Sequence, residues 1–370
     1  MQWIRVHASR LLPTTPVNIL LLIWLLSALL SLLVTADPNK TLVQFMKWMS
    51  GFVLFYICII VVRKRPFLLL LAKIIILSGL VFALLAPIGV NWNLVKGVPI
   101  PAAIYNMFPL ILPNTIHPNV MASIMILILP LSLAYTLAYP ANKIEKAGYF
   151  LLTGFMGLVL LLTKSRGGYV AGAVGVIIVL WLLQKKRWAL LLTGGSIIAA
   201  AILLFTSSVA SNEIVTGVTD PGTMQFRFEV WRIALWMMGD FPFTGIGMGS
   251  FNDVAVRLYP FPIVKDPGTH NVFLQVGVDL GIPGLVTYVG IIGLMFYLGF
   301  STLKTANKTH DKAIFGIMAG GLGSLAAYSL HSLLDNGLWG TVVAFLPWLI
   351  WALILIAYMI VPAVKKQAAQ

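Results

Sequence analysis

Ten apolar runs separated by short polar segments organise the chain: residues 17–35, 42–62, 66–88, 119–139, 147–163, 167–184, 188–209, 283–303, 313–334 and 341–361. Each is long enough, or nearly so, to cross about 30 Å of hydrocarbon as a helix, the element whose backbone hydrogen bonds all close internally. The pattern predicts an all-α integral membrane protein of about ten transmembrane helices (ten to twelve), forming a single polytopic domain over 1–370. The first run is too long for a signal-peptide core and reads as an uncleaved span. Two segments break the rhythm, 89–118 and 210–282. The second is too long for a mere connector, so function is sought there.

Composition supports the same class. Hydrophobic residues make up 59% of the chain and charged residues 10%, against about a quarter charged in soluble proteins. A net charge of +14 would point to nucleic acid in a soluble domain. Here the cations follow the loops instead. Of 25 Lys and Arg, fifteen fall on one alternate set of segments, eight on the other and two (Lys47 and Lys73) inside spans, where they can snorkel. The richer set marks the cytoplasmic side. Both termini are therefore predicted cytoplasmic and 210–282 becomes a long extracytoplasmic loop, with membrane lipids and not nucleic acid as surroundings. The single cysteine, Cys58, excludes an internal disulfide.

Polar groups gather on the outer side. In "TKSRGGY" (163–169), Lys164 and Arg166 interrupt an apolar stretch and force a tight hairpin; cations are disfavoured in so short an outer loop, and an arginine at a cavity lip suits bidentate phosphate binding. In residues 225–251, Phe228, Trp231, Leu235 and Met238 follow a spacing of three and four, which predicts an amphipathic helix on the outer surface. Arg227 opens it and Arg232 rides on it, with Glu229 and Asp240 as available partners. Gly245, Gly247 and Gly249 lack the strand-then-helix context of a nucleotide loop and read as a tight re-entry turn.

In "HNVFLQVGVDLGIPG" (270–284), Asn271, Gln275 and Asp279 stand four apart, which lays one polar stripe along a helix headed by His270. Gly281 to Gly284 then ends that helix and begins a span. A histidine near its ordinary pKa accepts a proton at neutral pH, which suits His270 to a catalytic or acceptor-orienting role. "HSLLD" sets His331 and Asp335 at i and i+4, and "IHPN" sets His117 where it caps a helix. There is no Asp-x-Asp motif, the outer carboxylates are scattered, and no metal site or cofactor is expected.

Together these stretches resemble the O-antigen ligase and O-antigen polymerase superfamily of bacterial polytopic membrane glycosyltransferases. The resemblance rests on "TKSRGG", on "RFEVW" with "DFPFTGIGMGSF", on the His-Asn of 270–271 separated by nine residues from Gly281-x-x-Gly284, and on "HSLLD". It implies transfer of a glycan from undecaprenyl diphosphate to an acceptor hydroxyl at the periplasmic face of the inner membrane. The acceptor is lipid A–core in ligases, another repeat unit in polymerases and a protein in some relatives. The resemblance makes Arg166 and Arg227 the diphosphate-binding arginines and His270 the essential histidine. Lys164 and Arg232 are further diphosphate candidates, and Asn271, Gln275, Asp279, His331 and Asp335 supporting ones. A small-solute transporter is the competing class; its ionisable groups would lie near mid-membrane, in repeated halves.

Overall fold

The computed structural model describes residues 13–92, 115–196, 224–259 and 268–367. Residues 197–209 of the seventh apolar run, most of 89–118, and 210–223 and 260–267 of the long segment lie outside the described residues. The helices are α1 (Asn18–Ser31), α2 (Pro38–Val61), α3 (Arg65–Gly89), α4 (Pro118–Ala138), α5 (Lys143–Leu162), α6 (Arg166–Leu182), α7 (Met224–Asp240), α8 (Phe251–Leu258), α9 (Val272–Lys308), α10 (Lys312–His331) and α11 (Leu346–Gln367). Six of them, α2, α3, α4, α5, α9 and α10, are long and apolar enough to cross a membrane; α1, α6 and the apolar part of α11 are shorter. Among the described residues the only β pairing is an isolated bridge between Val90 and Ile116.

The described chain forms two compact units. One comprises residues 57–194, 295–331 and 346–370. At its centre α4 packs against α10, with α3, α5, α6 and α11 around them. The sequences explain the choice. α4 is apolar on every side and is enclosed on nearly every side; a helix with no polar face belongs in a core. α10 carries the small-residue run "GIMAGGLGSLAA", which lets helix backbones approach closely. A Cβ at Gly320 would stand 2.7 Å from the Leu131 Cα. The outer helices bury one face only. On α3, Leu70, Ile74, Leu77, Val81 and Leu84 form an exposed stripe as apolar as the buried one; a face turned to water would be polar, whereas lipid covers this one without cost. Two ion pairs brace the unit, Arg65 with Asp311 at 2.9 Å and Lys73 with Glu145 at 3.0 Å.

The other unit comprises residues 1–56, 195–294 and 332–345. Its helical core is built from Phe226, Val230, Ile233, Ala234 and Met237 of α7, Phe251, Val254 and Ala255 of α8, Ile246, and Val278 of α9. A second cluster sets the Trp24 ring against Trp48 at 5.2 Å, Tyr288 at 5.5 Å and Trp339 at 6.1 Å. The break predicted at Gly281 is present: α9 kinks there, with φ 71°. A side chain at Gly281 would strike the Phe243 carbonyl carbon at 2.7 Å, and the next residue, Ile282, donates its N–H to the Pro242 carbonyl. Glycine is required on both counts.

Candidate active site

The stripe Asn271, Gln275, Asp279 forms as predicted, but it is buried and serves as a staple. Asn271 caps α9: its Oδ1 accepts the N–H groups of Phe273 at 2.9 Å and Leu274 at 3.1 Å, the task for which asparagine is favoured at a helix start. One turn on, Gln275 accepts the Thr269 N–H at Oε1 (2.9 Å) and donates from Nε2 to Asp279 (2.9 Å). The Asp279 carboxyl also accepts from the Trp339 indole at 2.8 Å and the Gly249 N–H at 3.3 Å. Burying a carboxyl group this deeply requires its oxygens to be partnered, and three donors do so. The predicted re-entry turn is thereby fixed to α9; Gly245, Gly247 and Gly249 all adopt positive φ.

His270 stands at the head of this staple in the left-handed region, φ 52°. A non-glycine residue holds that conformation only where its surroundings over-determine it, and such strain gathers at functional positions. The surroundings do so here. Thr269 is held by Gln275 through its N–H and by the Trp231 indole through its carbonyl (2.9 Å). Asn271 donates its N–H to Asn336 Oδ1 (3.1 Å) and its side-chain amide to the Leu333 carbonyl (3.1 Å). Val272 donates to the Ser332 carbonyl at 2.8 Å. The half-buried imidazole meets the Phe226 ring edge to face, with centroids 6.1 Å apart.

The first turns of α7 supply the cation. Arg227 donates from a terminal guanidinium nitrogen to the Leu334 carbonyl, while its Nε is buried without a partner. Among the described residues it forms no ion pair. Arg232 differs. It lies about 140° further around the helix, at about 100° per residue, is paired with Glu229 at 2.6 Å and lies over the Trp236 ring at 5.0 Å. The two arginines proposed for one ligand thus occupy different faces, and Trp231 follows Arg227 by one turn. Periodicity marks Phe228, Trp231, Leu235 and Met238 as the apolar face. α7 has two such faces: the core takes Phe226, Val230, Ile233, Ala234 and Met237, and Phe228 and Leu235 stay exposed. Asp240, at the end of α7, accepts the Tyr259 hydroxyl. Burial first, then that carboxylate, pushes the Tyr259 hydroxyl above its usual range.

The other unit holds Lys164, Arg166, His117 and His331, whereas Asp335 belongs to the unit of His270. The tight hairpin exists: α5 ends at Leu162 and α6 begins at Arg166, with Ser165 capping by accepting the Gly168 N–H at its hydroxyl. Arg166 and Lys164 are both exposed, and Lys164 has φ 50°. His117 caps α4 by accepting the Asn119 N–H at 3.1 Å. His331 is buried, its Nδ1 3.2 Å from the Ser123 hydroxyl. It is also the last residue of α10, so Asp335 does not follow one turn along the same helix as predicted; the chain turns at 332 and Asp335 Oδ1 accepts the Gly337 N–H at 3.1 Å. The apolar pair Leu333 and Leu334 makes the run look continuous in sequence.

Three members of the frame carry no signal in local sequence: Trp231, Asn336 and Trp339. Trp231 reads as an apolar position, and Asn336 and Trp339 reach their partners across long stretches of chain. Among the described residues no three His, Cys, Asp or Glu side chains gather to hold a metal ion.

Residues 151–289 match the model of the O-antigen ligase family, a stretch that includes Arg166, Arg227 and His270. The match bears out the resemblance read from the sequence and points to a ligase- or polymerase-type glycosyltransferase. No curated protein matches. Among solved structures, a chain described under the structural coordination of polymerization and crosslinking by a peptidoglycan synthase complex is similar, at 21% identity over 92% of this chain and 96% of that one, with a TM-score of 0.50. At that identity the likeness is one of fold.

Proposed function

We propose, from the family match, that the chain transfers a glycan from undecaprenyl diphosphate to an acceptor hydroxyl at the periplasmic face of a bacterial inner membrane, with lipid A–core as acceptor, as an O-antigen ligase. One observation carries this reading: Arg227 and Asn271, the neighbour of His270, donate to adjacent carbonyls, Leu334 and Leu333, of one short segment. A cation without a carboxylate partner among the described residues and a histidine of strained backbone are thereby supported by the same segment.

Such a pairing suits glycosyl transfer from a lipid diphosphate. Outside the cytoplasm there are no nucleotide sugars, so the sugar arrives already activated on a membrane-held carrier. The bond from the anomeric carbon to the diphosphate oxygen breaks as the acceptor oxygen bonds to that carbon from the opposite side, inverting its configuration. Negative charge gathers on the departing diphosphate, where the Arg227 guanidinium stabilises it; one such donor is typically worth about 100- to 1,000-fold in rate. His270 orients the attacking hydroxyl and takes its proton, worth about 100- to 10,000-fold. The resemblance assigns Arg166 to the diphosphate as well. A polymerase uses the same donor half with another repeat unit as acceptor, and the family covers both.

The test uses purified protein, a polyprenyl diphosphate glycan, and either lipid A–core or a second repeat unit, without added metal. Transfer to lipid A–core is expected, with inversion at the anomeric carbon. Transfer only to the repeat unit would make the chain a polymerase. Uptake of a small solute with no glycan transfer would discard the reading.

A further inference from the structure

The unit that holds α4 and α10 contains a second polar site, at the opposite end of α6 from Arg166. A cavity of about 330 Å³ opens where α4 and α6 end and the α9–α10 loop turns. Its walls are of two kinds. Leu137, Leu182 and Phe315 give an apolar side, and Lys185 and Lys312 give a cationic rim. α6 spans 17 residues, about 25 Å at 1.5 Å per residue, so this rim and the Arg166 hairpin lie a membrane's depth apart.

Among the described residues, the charges at the rim lack a counter-charge within the unit. Its segments contain two carboxylates, Glu145 and Asp311, and both are taken. Glu145 is bound by Lys73. Asp311, in the cavity wall, is held by two nitrogens of Arg65 at 2.9 and 3.0 Å. Burial alone would raise that carboxyl, but the Arg65 hydrogen bond, the Ile314 N–H and the Arg65 charge outweigh it and keep Asp311 below its ordinary range. It stays ionised and committed to Arg65. Lys185 and Lys312 are exposed and enter no ion pair among the described residues. Lys186, Arg187 and Lys308 stand beside them in sequence.

We propose that this cavity binds the phosphate head of an anionic lipid, with Lys185 and Lys312 on the phosphate and the first methylenes of its chains against Leu137, Leu182 and Phe315. An apolar wall beside a cationic rim fits an amphiphile, whereas a free anion would use the rim alone. Basic pockets between membrane helices are known to take such heads. The site shares no residue with the proposed transfer site, and its test is independent of glycan transfer.

Full-length protein in detergent is incubated with phosphatidylglycerol, with phosphatidylcholine, or with phosphatidylglycerol plus excess inorganic phosphate, and bound lipid is counted by native mass spectrometry. The added phosphate competes for the exposed cations and screens them. Retention of phosphatidylglycerol about tenfold above phosphatidylcholine is expected, surviving inorganic phosphate and falling to the phosphatidylcholine level in K185A/K312A. The charge-keeping K185R/K312R variant should retain the lipid, which separates lost charge from lost folding. A control, K64A/K146A, removes two cations that do not line the cavity and should leave retention unchanged. Equal retention of the two lipids, displacement by inorganic phosphate, or an equal loss in the control variant would each overturn the proposal.

Discussion

Arg227 and Asn271 donate to adjacent main-chain carbonyls, Arg227 to Leu334 and Asn271 to Leu333. A helix of the long segment 210–282 and the His-Asn motif are thereby tied to one segment of backbone. The guanidinium is oriented before any ligand arrives, which is how a positioned charge becomes worth more than a mobile one. Arg227→Ala is expected to lower kcat for glycan transfer by about 100- to 1,000-fold. Arg227→Lys should restore little of it, because a lysine offers a point charge where the arginine offers a planar fork. Steady-state kinetics of the two variants checks this.

Arg232 provides the contrast. It is 56% exposed, and its charge is met by Glu229. Exposed pairs of this kind contribute about 0–1 kcal/mol. Arg232→Ala should leave both transfer rate and thermal stability close to the parent; a loss as large as that of Arg227→Ala would show that both arginines serve the donor.

The strain at His270 makes its backbone and its imidazole separable. Asparagine tolerates the left-handed region better than most residues. His270→Asn should therefore keep the melting temperature within about 2 °C of the parent while transfer falls by about 100-fold or more. Differential scanning fluorimetry beside a transfer assay reads both. A variant that loses stability and activity together would make the imidazole a structural group.

Asp279 is expected to act on stability first. In Asp279→Asn the amide can replace only one acceptor oxygen, so its NH₂ faces either the Trp339 indole or the Gln275 amide, donor against donor. An unsatisfied buried donor costs about 1–3 kcal/mol. Trp339→Phe removes one donor and should soften the effect, so the double variant should be less destabilised than the sum of the two singles. Thermal melts of the four proteins measure that coupling.

Much of this arrangement is legible in the chain, and the limits have physical causes. The apolar runs mark the helices because lipid or a packed core excludes polar side chains from them, and the Gly281 break is legible because a glycine and a proline interrupt one of them. The period of four identifies the stripe Asn271, Gln275, Asp279, yet it does not tell an exposed stripe from a buried one; that depends on Trp339 and Gly249 arriving from elsewhere. His331 and Asp335 show the opposite error. Their spacing fits a helix, and Leu333 and Leu334 suit one, but the chain leaves the helix at Ser332, whose carbonyl receives the Val272 N–H. α7 is apolar on two sides, so periodicity alone selects one face and misses that Phe226 and Val230 form the core.

The central claim is that Arg227 and His270 act on one glycosyl transfer, and a double-mutant cycle tests it most directly. Single-turnover transfer from a polyprenyl diphosphate glycan is measured for the parent, Arg227→Ala, His270→Asn and the double variant. Groups that act as a unit are non-additive, so each single variant should lose about 100-fold or more and the double variant little beyond the worse single one. Folded single variants that both retain transfer within about threefold of the parent, a barrier change of only about 0.6 kcal/mol, would contradict the account.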